Sequence, residues 1–336
     1  MSLSVNRRNL IVFHEHVKST AINRIALQGE TADNPAIIIL VGYLPQDWSD
    51  LEIAIKSMDY YLVDRQTSDL LLFHEEGTIP ADVTAKVSNW THRHVFWHSV
   101  NFTSFPPGFN PDNETSTKFR KRSQWGYQQM CRFWIYGLWQ HEAIRNGNYT
   151  TLLRMDTDSC FLRKAVASDT IRKQQEEQKQ GLPYLPKHIV YKAQLRANGE
   201  KLIYTEGLMN LTLDFIRQHN VKIQNPHLWK MAEETLTSPD PVLPLFYNNL
   251  EVDRIEFFRD RPLVRSYLYR VAEEAPYGVL RLRWGDAPVR FLTMALFASP
   301  EHVDILPANG YVHGDRCRRY ARKTNLLQEP LAGEKV

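Results

Sequence analysis

Tyr149 to Asp158 reads YTTLLRMDTD, an apolar run of strand length that stops at two aspartates one residue apart. Side chains on an extended chain alternate faces, so Asp156 and Asp158 point the same way. Two carboxylates at the carboxyl end of a buried strand stand where open α/β sheets bind ligands. Left unpaired they repel each other. A divalent cation with oxygen ligands resolves that conflict, with Mn²⁺ the best fit and Mg²⁺ the alternative. D-x-D alone is a weak motif, and its bland reading is a turn or cap of solvated aspartates.

The sequence upstream supplies the sheet. Ala36 to Val41 (AIIILV) is a continuous β-branched run that suits a central strand buried on both faces. Asp50 to Tyr61 reads as a helix with Leu51, Ile55 and Met58 on one face, and Asp69 to His74 and Arg93 to Val100 are further strands. Strand, helix, strand with short connections defines a βαβ unit and an α/β fold with a mainly parallel central sheet flanked by helices. Thr103 to Thr117 reads as a loop, Ser123 to Arg145 as one long helix, and Arg172 to Gln180 as exposed and polar. Leu208 to His219 reads as a helix. Pro239, Pro241 and Pro244 mark a turn before a short strand at Leu245 to Tyr247. With no repeat and no linker, the expected organisation is an extension over residues 1–30, a single domain over 31–322 and a tail over 323–336.

Bulk properties exclude some functions. The 336 residues carry 41 basic and 38 acidic side chains, a formal charge of +3, which is too balanced for a protein that grips nucleic acid through its phosphates. The basic cluster Lys118, Arg120, Lys121 and Arg122 reads as a solvated helix entrance before it reads as a diphosphate contact. Three cysteines, Cys131, Cys160 and Cys317, allow one bridge at most and do not say which. The opening MSLSVNRRNLIVF has too short an apolar run for a signal peptide or membrane anchor. The expectation is a chain without a membrane segment, working where it is made unless an anchor stands outside this sequence. Asn-x-Thr triplets at Asn89, Asn101, Asn113, Asn148 and Asn210 suit secretory glycosylation but also arise by chance. His92, His94 and His98 share a strand face, yet no nearby cysteine or acid completes a zinc site, so exposed strand histidines are the better reading. His14 and His16 read the same way.

Four segments in order carry a resemblance. They are Tyr127 to Phe133 (YQQMCRF), Arg154 to Asp158 (RMDTD), Phe246 to Arg259 (FYNNLEVDRIEFFR) and Arg283 to Val289 (RWGDAPV). They are similar to the Y-R-x-M-C-R-F, R-x-E-P-D, F-W-S-N-F-E-I and R-W-G-D-A-P-V motifs of the fungal α-1,2-mannosyltransferases, glycosyltransferase family 15. The resemblance implies a GT-A fold and transfer of mannose from GDP-mannose to a glycan or glycoprotein hydroxyl, with Mn²⁺ and with retention of configuration. It also implies a Golgi lumen setting behind an N-terminal anchor, against a cytoplasmic setting without one.

Carried over position by position, the resemblance gives Asp156 and Asp158 the metal. Gly310-Tyr311-Val312-His313 matches a family G-Y-x-H and nominates His313 as a further metal ligand. Glu251 falls on the family's candidate nucleophile, with the logic of a retaining glycosidase. Its bland reading is an acid salt-bridged to Arg254 or Arg283. Tyr127 matches an active-site tyrosine. Asp286 reads equally as a sugar-binding or acceptor-side base and as the cap of a helix beginning at Pro288. Arg132, Arg154 and Arg283 offer guanidinium forks to a diphosphate, at least one of them being a structural partner instead, and Trp284 stands in the same motif as Arg283.

Departures from the pattern leave the donor open. Gly42-Tyr43 replaces the family's Arg-Asn pair after the first strand, D-T-D replaces E-P-D, and Leu282 replaces an acid before Arg283. Two rivals follow: the same fold using a UDP-sugar, and an inactive glycan-binding relative.

Overall fold

The computed structural model describes residues 33–61, 68–115, 125–162, 185–238, 241–306 and 310–324. The N-terminal extension, the basic cluster at 118–122, the polar run at 172–180 and all of the expected C-terminal tail beyond residue 324 lie outside them, while residues 323 and 324 end a helix.

The strand order is β3-β2-β1-β4-β7-β6-β8. β1 (Pro35–Val41), β2 (Asp69–Glu75), β3 (Val95–Val100) and β4 (Thr151–Met155) run parallel. β7 (Val242–Arg254) runs antiparallel to both β4 and β6 (Tyr191–Lys201), and β8 (Val303–Ile305) is parallel to β6. Only β7 opposes the common direction, so the sheet is mainly parallel, as the βαβ pattern predicts.

Strand alternation sorts the core into two layers. Ile37 and Ile39 of β1 and Leu70 and Leu72 of β2 pack against Leu51, Ala54, Ile55 and Met58 of α1 (Pro45–Tyr61) and against Val83 and Val87 of α2 (Ala81–Val87). The alternate residues Ala36, Ile38, Leu71 and Phe73 face the other way, with Leu152 of β4. There they meet the segment beginning with α3 (Gly126–Arg132), then α4 (Leu208–His219), α5 (Pro226–Thr237), α6 (Ile255–Arg259), α7 (Pro262–Glu273) and α8 (Asp286–Phe297). Each fully buried leucine or isoleucine contributes about 1.5–3 kcal/mol, and β1 supplies such residues to both layers. Among the described residues no helix is long and apolar enough to cross a membrane.

Three expectations are corrected. The helix read over Ser123 to Arg145 is interrupted. A π turn follows α3 at Phe133–Gly137, and His141 then turns extended (φ −64°, ψ 137°), its ring accepting from the Ala143 amide to start a separate turn. The helix read from Asp50 begins at Pro45. The strand read as Leu245 to Tyr247 is in fact 13 residues long. Asn248, Glu251 and Asp253 disguise β7 because they are polar yet buried, and the hydrogen-bond partners of Asn248 and Glu251 come from other elements.

Gly199 lets β6 approach the start of β7. A Cβ there would fall 2.0 Å from the Leu243 carbonyl oxygen, where the β6–β7 register slips between Arg196 and Glu200. Gly199→Ala should therefore lower the urea midpoint by an amount equivalent to about 1–3 kcal/mol, the usual cost of overpacking. An unchanged midpoint would refute the close approach.

Candidate active site

β4 ends at Met155 and the chain turns at once. The Asp156 amide donates to the Asn249 carbonyl of β7 at 3.1 Å, and β5 (Ser159–Phe161) leaves on the far side of the turn. β5 pairs antiparallel with β9 (Tyr311–His313), which sets His313 opposite Ser159. The Gly314 amide donates to the Asp158 carbonyl at 2.7 Å, and Gly310 and Gly314 take the positive φ values, 84° and 71°, at the two ends of β9. The Cys160–Cys317 disulfide ties β5 to α9 (Asp315–Thr324), while Cys131 is free and buried.

This folding brings three sequence-distant ligands together. His313 Nε2 lies 2.9 Å from Asp158 Oδ1 and 3.7 Å from Asp156 Oδ2, and one ligand atom from each residue falls within a 4.8 Å cluster. Asn249 Nδ2 donates to Asp156 Oδ2 and sits 3.0 Å from His313 Nε2. Burial alone would lower the His313 pKa, but hydrogen bonds to Asp156 and Asp158 push it up to about 9. Asp158 is held below the usual carboxylate value despite its burial, because His313 donates to it. Metal binding competes with protonation here, because the ligands must deprotonate to hold a cation. Two carboxylates and one imidazole, half-buried and close together, fit a Mn²⁺-like ion. Among the described residues this is the one such cluster of three.

Behind the ligands lies a buried ionic network. Arg154 and Glu251 are opposite each other on β4 and β7, and the arginine sits at its centre. Its guanidinium donates to Asp286 Oδ2 at 2.5 Å, to Asp156 Oδ1 at 3.3 Å and to Glu251 Oε1 at 3.4 Å, with the Trp134 ring 4.0 Å away. Glu251 is 0% exposed and also accepts from Tyr191 at 2.8 Å and from Arg290 at 3.2 Å to each oxygen. Arg290 itself lies over the Phe258 ring. Asp253, two residues on, is buried with neither oxygen hydrogen-bonded among the described residues. Burial, reinforced by the nearby Glu251 charge, pushes its carboxyl well above the ordinary value.

A cavity of about 390 Å³ opens beside His313, lined also by Arg196, Tyr247, Tyr311 and Arg316. Arg196 stacks 3.3 Å over the Tyr247 ring, and neither Arg196 nor Arg316 makes an ion pair with an acid among the described residues. Among the described residues these two cations are without acidic partners, and a guanidinium fork matches phosphate oxygens in geometry.

The predicted site residues do not all converge. Asp156, Asp158 and His313 meet, and Arg154 joins them to Asp286 and Glu251. Asp286 is the first residue of α8 and caps nothing, since Gly285 is the cap; it accepts from Arg154 and from Asn248 at 2.9 Å instead. Glu251 pairs with neither Arg254, which donates to the carbonyls of Leu185, Pro186 and Ile189, nor Arg283, which reaches Glu200 at 3.2 Å. Tyr127 is 43% exposed beneath the Arg283 guanidinium, 4.5 Å from its ring centre. Arg132 is withdrawn into a bidentate pair with Glu273, 2.7 Å on each arm, so its fork has no free edge for a diphosphate. Trp284 is fully buried against Gly278 and donates to the Glu206 carbonyl at 2.8 Å, a packing position rather than a ligand contact. Of the three histidines expected to share a strand face, only His98 lies on β3, where it packs on Phe73 and His141; His92 and His94 precede the strand, and His94 stands exposed 3.5 Å from Asp69. Asn249, Arg196 and Arg316 were missed by sequence reasoning; only Asn249, two residues before Glu251 in a quoted segment, carried a signal.

A sheet of this order with a carboxylate–histidine cluster beyond β4 has the GT-A-like architecture of glycosyltransferases. The fold aligns with core-mannan synthase A (CmsA/Ktr4) of Aspergillus fumigatus in its Mn/GDP form at a TM-score of 0.66, 19% identity, 85% coverage of this chain and 76% of that one. It aligns with Ktr4p of S. cerevisiae in complex with GDP at 0.61, 20% identity, 84% and 71% coverage. Residues 110–329 match the family described as glycolipid 2-alpha-mannosyltransferase, and the chain belongs to that family. It is 33% identical over 109 residues to O-glycoside alpha-1,2-mannosyltransferase homolog 3 of Schizosaccharomyces pombe, which is 32% of this chain and 28% of that protein. It is 24% identical over 200 residues to glycolipid 2-alpha-mannosyltransferase of Saccharomyces cerevisiae, 60% of this chain and 41% of that one. The chain therefore matches less than half the length of either relative.

Two outcomes are expected. Asn249→Ala removes the amide that orients Asp156 and should weaken Mn²⁺ binding about 10- to 100-fold by titration calorimetry, with Asp158→Ala weaker still; equal affinities would dissociate the cluster from metal. The Asp253 carboxyl, raised in the folded state, adds stability that is fully present below the ordinary aspartate pKa and is lost as pH rises through its raised value. Urea unfolding across pH 4 to 8 should show that decline in the wild type and a flatter profile in Asp253→Asn; parallel profiles would contradict the protonated state.

Proposed function

We propose that this protein is a metal-dependent glycosyltransferase that moves mannose from GDP-mannose to a hydroxyl of a mannoside or related glycan, with retention of configuration. The observation that carries the reading is the meeting of Asp156, Asp158 and His313 beside a cavity holding Arg196 and Arg316. Family membership and two fold relatives whose structures contain GDP, one of them with Mn, support the donor.

In this reading Asp156, Asp158 and His313 hold the ion, which when bound neutralises charge on the departing diphosphate. Arg196 and Arg316 take phosphate oxygens from the cavity side, Arg196 being held flat on Tyr247 before any ligand arrives. Tyr127 and Arg283, stacked at the surface, meet the transferred sugar or its acceptor. Asp286 keeps one oxygen on Arg154 and Asn248, leaving Oδ1 to accept from a sugar hydroxyl. Glu251 acts from below. With both oxygens paired it fixes Arg154 and Arg290, and through Arg154 it sets the positions of Asp156 and Asp286.

The test is GDP release and transfer with GDP-mannose, Mn²⁺ and a mannobiose acceptor, with the product anomer assigned by NMR. Wild type should yield the α-linked product, and Asp158→Ala should lose about 10²- to 10³-fold in rate, the scale for removing a preorganised electrostatic contact. Glu251→Gln separates two roles. A positioning residue loses metal affinity together with rate, whereas an attacking nucleophile loses rate alone. Turnover with UDP-sugars and none with GDP-mannose would overturn the donor.

A further inference from the structure

A second cavity, of about 450 Å³, lies on another face of the segment that begins with α3. Tyr127 and Cys131 of α3 face Asp286, while Gln129 and Arg132 face the cavity along with Phe133 and Tyr136 of the π turn. None of its lining residues belongs to the metal cluster or to the ionic network around Arg154. The volume lies within the range of small-molecule sites, and a π turn inside a helix is a frequent mark of a functional site.

Its lining selects one ligand chemistry. The aromatic wall is Phe102, Tyr136 and Tyr269, with Tyr136 and Tyr269 edge to face at 5.3 Å and Tyr269 38% exposed. Among the described residues the only fully charged groups in the lining, Arg132 and Glu273, neutralise each other in their bidentate pair, so these residues offer neither an anion nor a cation an unpaired countercharge. A purely apolar ligand is disfavoured as well. It would strand the Gln140 amide and the Tyr136 and Tyr269 hydroxyls, which have no hydrogen-bond partner among the described residues. A neutral ligand with an apolar face and a rim of hydroxyls satisfies every group. That is a hexopyranoside: its C–H face lies on the tyrosine rings, and its hydroxyls reach the Gln140 amide and the two phenols.

We infer that this cavity is a second, metal-independent sugar-binding site, taking one neutral hexose unit of a glycan away from the reaction centre. The pocket chemistry stands without the proposed reaction; only the choice of mannose as the probe sugar rests on that reading.

The experiment is saturation-transfer NMR on the full chain with α-1,2-mannobiose in EDTA, without donor. Wild type and Asp158→Ala should both bind, with equal affinity, because the metal cluster is not involved. Tyr269→Ala and Gln140→Ala should each weaken binding at least about tenfold, and Tyr136→Phe, which removes a single hydroxyl from an intact ring, should weaken it about three- to tenfold. Unchanged melting temperatures confirm that the variants fold. No sugar signal in wild type overturns the inference, as does binding lost in Asp158→Ala or retained in all three pocket variants. Donor turnover is read separately from these outcomes, so failure of the second site and failure of the proposed reaction are distinguishable.

Discussion

The guanidinium of Arg154 joins the sheet to the site. It projects from the penultimate residue of a buried parallel strand and reaches Glu251 on the neighbouring antiparallel strand, Asp286 at the start of α8, and Asp156 just past the strand end. Taking that charge from water carries an effective penalty of several kcal/mol, which only well-placed carboxylates offset. Glu251 can serve because Arg290 and Tyr191 share its load. Asp253, beside them, has Arg290 only at 3.9 Å and no hydrogen bond among the described residues, and burial pushes its carboxyl well above the ordinary value.

That constraint explains why the one antiparallel strand sits in the middle of the sheet. β7 delivers Asn248, Asn249, Glu251 and Asp253 against β4, so a single strand supplies partners to Asp286, Asp156 and Arg154 at once. The register is therefore specified by charge as well as by apolar pattern. A slip of one residue would turn Glu251 away from Arg154 and leave both buried charges alone. The outer parts of the site are lighter: β5 and β9 are three residues each, and the disulfide and paired glycines hold His313 over the β4 turn.

The two cavities differ in what they leave unpaired. Among the described residues, the groups beside His313 without an acidic partner are cationic, and those behind α3 without a hydrogen bond are a neutral amide and phenols framed by aromatic rings. Arg132 shows how context decides. Its fork looks like a phosphate contact in the sequence, but Glu273, 141 residues away along the chain, cancels its charge.

The sequence by itself determined the parallel half of the sheet and the two aspartates at its edge. Those features depend on local periodicity: AIIILV must be buried on both faces, and residues two apart on an extended chain share a side. It also placed the family motifs in order, from which Asp156, Asp158 and His313 were legible. The length of β7, the break at His141, the pairing of Cys160 with Cys317, and the arginines Arg196 and Arg316 were decided only by the tertiary structure. Each depends on a partner far away in the chain, and a polar residue in a sequence carries no mark of whether it will meet water, a countercharge or a ligand. Glu251 is the plainest case: one carboxylate, read as a nucleophile or as an acid salt-bridged to Arg254 or Arg283, becomes a buried anchor because Arg154, Tyr191 and Arg290 converge on it from three different elements.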